Sequence, residues 1–207
     1  MKTVTILDYG MGNIKSLFNA IKFIGFSPIF YSESNQINSN ICIIPGVGAF
    51  NHALKLLNEK KISNKIIDFV SSNENLLIGI CLGMQVLFEK SEENMDTKGL
   101  CLIKGNVLKI SNNKIDKLPN VGWKETFIKN NDYFPVLKQF NKEKFYYIHS
   151  YACDPKNKNN CAGFSYFKEE EFCSLVVNKS NILGMQFHPE KSAKVGLELL
   201  ENIIKQF

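Results

Sequence analysis

The chain has 207 residues, 44% of them hydrophobic, with 25 Lys and Arg against 20 Asp and Glu for a formal charge of +5. That suits one globular domain over 1–207, and its lysines are scattered, with small clusters at Lys60-Lys61 and 156–158, so nucleic acid is excluded as a partner. No apolar run approaches the roughly 20 residues that cross a bilayer, and the N-terminal segment has no signal-peptide cleavage region, which points to the cytoplasm.

In chain order, residues 3–7 read as a buried strand. The turn Gly10-Met11-Gly12-Asn13 follows. It is not a dinucleotide fingerprint, because Lys15 stands where the third glycine belongs. Ile14, Leu17, Phe18, Ile21 and Ile24 share one helix face, and Gly25 stops it. Residues 41–44 form a second apolar strand, followed by helices over 50–57 and 62–70. Residues 76–80 form a third, followed by a helix over 82–90. The second half is richer in strands, at 107–110, 124–128, 145–149, 161–166, 174–177 and 182–187, and it closes with a helix over 195–204. Alternation of strand and helix in the first half predicts an α/β fold: a three-layer, open, mixed but mainly parallel sheet flanked by helices.

The chemistry gathers at Gly79-Ile80-Cys81-Leu82-Gly83-Met84-Gln85. A strand that ends in Gly-x-Cys-x-Gly and turns at once into a helix is a nucleophile elbow with sulfur in place of oxygen. Glycines relieve the crowding of so sharp a turn. The free N–H groups and dipole of the following helix would favour a thiolate. The remaining cysteines, Cys42, Cys101, Cys153, Cys161 and Cys173, read as small buried hydrophobes. No Cys-x-x-Cys or His-x-x-x-His pair suggests a metal, and no cofactor is expected. Cysteine usage fits a reducing compartment.

A cysteine nucleophile needs a base, and only three histidines exist. His52 lies in a helical pattern and reads as a surface or packing residue. His149, in Phe145-Tyr146-Tyr147-Ile148-His149-Ser150-Tyr151, reads as a hydrogen-bonded residue at a strand end, with substrate contact as the other reading. His188 precedes Pro189-Glu190. Proline pushes His188 towards an extended form, so His188 and Glu190 share a face or converge at a bend. Glu190 can then fix the imidazole tautomer, leaving the other nitrogen for the Cys81 proton.

The cysteine elbow followed by Met84-Gln85, with His188-Pro189-Glu190 later in the chain, resembles the class I (triad-type) glutamine amidotransferases. The resemblance implies that Cys81 attacks the side-chain amide of glutamine, His188 moves the proton and Glu190 orients it. Pro45-Gly46-Val47-Gly48-Ala49-Phe50 resembles that family's oxyanion strand, so Gly46, Val47 and Gly48, with Leu82 after the nucleophile, are expected around the oxyanion. Across the whole chain the strings Asp8 to Asn13, 45–50, 79–85, Leu118-Pro119-Asn120-Val121-Gly122-Trp123, 145–151 and 186–192 resemble the glutaminase subunits of imidazole glycerol phosphate synthases. By the same resemblance Gln85, His149, Ser150 and Tyr151 join Gly48 around glutamine, while Asn13, Asn120, Trp123, Tyr146 and Lys191 lie near the interface with a (β/α)8-barrel cyclase in a heterodimer. Most members carry Pro-His-Met-Gly-Trp where this chain has Pro119-Asn120-Val121-Gly122-Trp123. Two alternatives stand beside this expectation: a paralogue supplying ammonia for amidination of a surface-polysaccharide sugar, and a non-catalytic regulatory binder of a barrel partner.

Overall fold

The computed structural model describes residues 1–111, 117–129 and 131–207, with the backbone alone for 94–96. Strands β1 (Thr3–Ile6), β2 (Ser27–Phe30), β3 (Ile41–Ile44), β4 (Leu76–Ile80) and β13 (Ile182–Met185) run parallel in the order β2-β1-β3-β4-β13. Short, wholly apolar strands such as Ile41–Ile44 are what burial on both sheet faces demands. Beyond β13 the sheet turns antiparallel through β12 (Glu170–Asn178), β10 (Tyr151–Pro155) and β7 (Gly105–Lys109), and ends on β5 (Lys90–Ser91) and β6 (Asn94–Lys98). A branch leaves β12 through β11 (Cys161–Phe167) to β8 (Asn120–Ile128) and β9 (Glu143–His149).

Alternation along the strands separates two cores. Val4, Ile6, Ile41, Ile43, Leu76 and Ile78 pack with Leu17 and Ile21 of α1 (Ile14–Phe23) and with Leu199, Leu200 and Ile203 of α5 (Ala193–Gln206). Cys42, Ile44 and Leu77 face the other way, onto Ala53, Leu54 and Leu57 of α2 (Phe50–Glu59) and Ile62 and Ile66 of α3 (Ile62–Phe69). These are the three layers the sequence implied.

One helix departs from expectation. The helix after Cys81, read as 82–90, is α4, only Leu82–Gln85. The carbonyls of Val86, Leu87 and Phe88 accept hydrogen bonds from Leu100, Leu102, Ile103 and Cys101 instead of continuing the helix. Val86, Leu87 and Phe88 are all fully buried, so the apolar run gave no face to distinguish helix from a packed irregular segment. A one-turn helix also carries little macrodipole, so the expected dipole support for a thiolate reduces to local N–H groups. Cys101 is exposed rather than buried, in a left-handed turn with φ 55°.

Candidate active site

Cys81 sits where β4 ends and α4 begins, with φ 54° and ψ −109°. Such backbone costs on the order of 1–3 kcal/mol and persists only when its surroundings impose it. Here they do. The Cys81 N–H donates to Met185 O at 2.7 Å, tying the elbow to β13. A Cβ on Gly83 would stand 1.8 Å from the Ile44 carbonyl oxygen, and one on Gly79 would stand 2.5 Å from that of Gly83. The two glycines that bracket the cysteine are thus sterically required. Leu82 opens α4, so its N–H has no acceptor within the helix and is free to meet an oxyanion beside the sulfur.

His188 follows β13, the parallel neighbour of β4, and so leaves the sheet at the same strand ends as Cys81. It is extended, at φ −100° and ψ 96°, and Pro189–Lys191 then make a single tight turn. That turn brings Glu190 back, so that Glu190 Oε1 lies 2.8 Å from His188 Nδ1. Neighbouring strand β9 fixes the backbone: the His188 N–H donates to Tyr146 O, the Ser192 hydroxyl donates to His188 O, and the Tyr146 N–H donates to the Ser192 hydroxyl. Phe187 stacks on Phe145 at 4.1 Å beneath the ring. With Nδ1 committed to Glu190, Nε2 is the nitrogen left for Cys81; at rest it is buried outside hydrogen-bonding geometry. Burial opposes a charge on this imidazole, but Cys81 as thiolate and the Glu190 carboxylate outweigh it and raise its pKa from 6.5 to about 10.

In front of the sulfur lies a cavity of about 500 Å³ lined by Val47, Gly48, Cys81, Leu82, Gln85, Glu93, Pro119, Ile148, His149, Ser150, Tyr151 and Lys191. Most of the residues expected around glutamine therefore share one pocket. Gly46 lies behind its wall: a Cβ there would meet the Tyr9 hydroxyl at 2.8 Å and Leu82 Cβ at 2.9 Å. The Tyr9 hydroxyl donates to Pro45 O at 2.8 Å, so the Asp8 to Asn13 segment braces the 45–50 turn. Glu93 was not singled out from sequence. Its Oε2 accepts the Phe50 N–H at 2.7 Å, capping α2 from a distant segment, which no local pattern announces.

His149 is buried and locked. Its Nδ1 donates to Tyr151 O at 2.8 Å, so Nε2 must accept, and Asn120 Nδ2 donates to it at 3.0 Å. Burial lowers its pKa from 6.5 to about 4, the Tyr151 carbonyl opposing and His188 and Lys124 adding to the effect. The neutral form is therefore the resting one. Asn120, expected near the partner interface, is 1% exposed and pairs in register with His149. The other interface candidates are at or near the surface. Trp123 is half exposed and meets half-buried Tyr146 edge-on, Lys191 is exposed, and Asn13 is an exposed cap that accepts the Ser16 N–H. Among the described residues no group of three or more His, Cys, Asp or Glu could hold a metal, and no helix is long and apolar enough to cross a membrane.

The comparisons agree with this geometry. Residues 5–207 match the family model "Glutamine amidotransferase class-I". The chain is similar to "Imidazole glycerol phosphate synthase subunit HisH" of Halalkalibacterium halodurans, 40% identical over 203 residues that cover 95% of this chain and 92% of the relative. It is 39% identical to the protein of the same name in Methanosarcina barkeri over 207 residues, covering 99% and 98%. Among solved structures, "Structure of PurLQS from Thermotoga maritima" shares the fold, with a TM-score of 0.75 at 20% identity, covering 99% of this chain and 96% of that one. A cysteine elbow at the pocket wall with a buried His-Glu pair coupled to its sulfur, in a sheet of this topology and with a family match over nearly its whole length, has one reading: the chain belongs to the class-I glutamine amidotransferases.

Proposed function

We propose that this chain is the glutaminase subunit of an imidazole glycerol phosphate synthase, and that it passes ammonia to a (β/α)8-barrel cyclase partner in histidine biosynthesis. The observation that carries the chemistry is Cys81 in the wall of the pocket beside Val47 and Gly48, with a buried His188 that Glu190 orients coupled to its sulfur. Glutamine enters with its amide towards the sulfur. Glu93 is the carboxylate in the pocket wall for its α-ammonium, and Lys191 the cation for its α-carboxylate. The Cys81 thiolate attacks the amide carbon, and the resulting oxyanion is met by the Leu82 N–H and the backbone donors of the Gly46–Val47–Gly48 turn. His188, held protonated at neutral pH, delivers its proton to the departing nitrogen, which leaves as ammonia. A water, deprotonated by His188, then cleaves the thioester to glutamate and restores the thiolate.

The relatives named as synthase subunits, covering nearly all of this chain, support the histidine-pathway acceptor over a polysaccharide sugar. Asn120, which departs from the family pattern, is turned inward onto His149 rather than outward to a partner. The assembled triad argues against a purely regulatory binder. Exposed Trp123 and Val121, with Tyr146 alongside, are the apolar surface offered to the barrel. Cys81→Ala tests the assignment: in complex with the cyclase it should abolish glutamine-dependent product while ammonia-dependent product persists. Loss of both, or retention of glutamine hydrolysis, would overturn it.

A further inference from the structure

At rest the sulfur of Cys81 has a side-chain donor that is not the imidazole. Gln186, two residues before His188 and fully buried, points its Nε2 at Cys81 Sγ at 3.6 Å. Its other end is held: Gln186 Oε1 accepts from Gln85 Nε2 at 3.1 Å, and the same Gln85 amide donates to Tyr151 O at 3.0 Å. The direction of this chain is dictated from its far end. A backbone carbonyl only accepts, so Gln85 must turn its NH2 group towards Tyr151. That NH2 group also faces Gln186, which must answer with oxygen. The Gln186 NH2 is then left facing the sulfur. Flipping either amide would set oxygen against oxygen or NH2 against NH2 inside a buried site.

We infer that Gln186 is a dedicated hydrogen-bond donor to the nucleophile, its orientation enforced by Gln85 and the Tyr151 carbonyl, and that it favours the thiolate of Cys81. A donor stabilises the charged acceptor more than the neutral thiol, which can donate only to the distant Ile148 carbonyl at 3.9 Å. The proton that Cys81 loses on ionising is the one His188 carries at neutral pH. The other titratable groups that couple to this sulfur are Tyr9, from the segment after β1, and Cys153 on β10. Burial raises both above their ordinary values, so neither charges near neutrality. Gln85 lies in the pocket wall, so the chain also joins the substrate pocket to the nucleophile.

This inference rests on the reading of Cys81 as nucleophile, and the experiment separates the two. Wild type, Gln186→Met and the isosteric Gln186→Glu are treated with iodoacetamide across pH, and alkylation of Cys81 is followed by peptide mass. Glutamine turnover is measured in complex with the cyclase. The midpoint of Cys81 alkylation should move up in both variants, with kcat down about tenfold, near the low end of what a hydrogen bond to a charged group is worth, and KM for glutamine within about twofold. An unchanged midpoint with lowered kcat means Gln186 only packs, and the inference fails while the nucleophile stands. Turnover surviving Cys81→Ala sinks the underlying reading instead. A measurement on wild type is independent of how the variants fold: the Gln186 side-chain amide signals should shift over the pH range in which Cys81 alkylation titrates, and signals that stay fixed would overturn the proposal.

Discussion

Gly83→Ala isolates the geometry of the elbow from its chemistry. Gly83 is two residues past the nucleophile and touches no substrate-bearing atom of the proposed reaction. Its added methyl would stand 1.8 Å from the Ile44 carbonyl oxygen, where real Cβ contacts stop near 3.0 Å. Both sides of the clash are backbone, one in β3 and one in α4, so no rotamer relieves it. The two segments must separate by more than about 1 Å, and a misplacement of that size can cost about a hundredfold in rate. Overpacking of this kind also costs about 2 kcal/mol of stability, or roughly 4–8 °C in Tm for a chain of this size. Gly25→Ala is the control. Nothing lies within 4 Å of its Cβ position, and its φ of +87° makes alanine costly by about 1 kcal/mol without moving the sulfur. Glutamine turnover and thermal unfolding of both variants are measured side by side. Gly83→Ala should lose about two orders of magnitude in kcat, and Gly25→Ala should stay within about twofold of wild type. Turnover of Gly83→Ala within about threefold of wild type would refute the claim that Gly83 sets the nucleophile's position.

Two further expectations concern protons. His188 has its pKa raised to about 10 and so is protonated at neutral pH; turnover that needs this proton should fall as pH rises towards 10, and Glu190→Gln, which removes one of the raising charges, should move that basic limb of kcat to lower pH. An unmoved limb would show that the titration belongs to another group. His149 behaves in the opposite sense. Its folded pKa is lowered to about 4 from an ordinary 6.5, so the unfolded chain takes a proton that the folded one refuses, and its stability contribution is present above pH 6.5 and lost as pH falls towards 4. Thermal unfolding at pH 7 and pH 4.5 should therefore show a smaller acid loss in His149→Gln than in wild type; equal losses would mean that His149 is not buried neutral.

Much of the fold was legible because its signals were local. Ile41–Ile44 and Leu76–Ile80 are apolar runs of strand length, and Gly79 and Gly83 announced a turn whose steric need is now visible. The His188-Pro189-Glu190 string carried its own geometry, since proline extends the histidine and the turn returns the carboxylate. What was missed depended on distant chain. β2 contains Pro28, which demotes a strand reading, yet its parallel register with β1 holds it. Strands β5, β6 and β10 went unread, the first being two residues long and the last separated from β9 by Ser150 alone. Nothing in the sequence around Asn120 shows that its register partner is His149, and nothing around Gln186 shows that Gln85 and the sulfur stand on either side of it. The shortened α4 is the same lesson: its carbonyls were claimed by residues 100–103, which no periodicity within 82–90 records.

The fit of Gly83 against Ile44 and of Gly46 against Leu82 interlocks the nucleophile's turn with the 45–50 turn. Neither loop can drift without dragging its neighbour, so mutational change should accumulate around the pocket rim, at positions such as half-exposed Ile148, while the two hinges of the vise evolve only in concert. Attempts to re-engineer this enzyme for bulkier amides should begin at that rim.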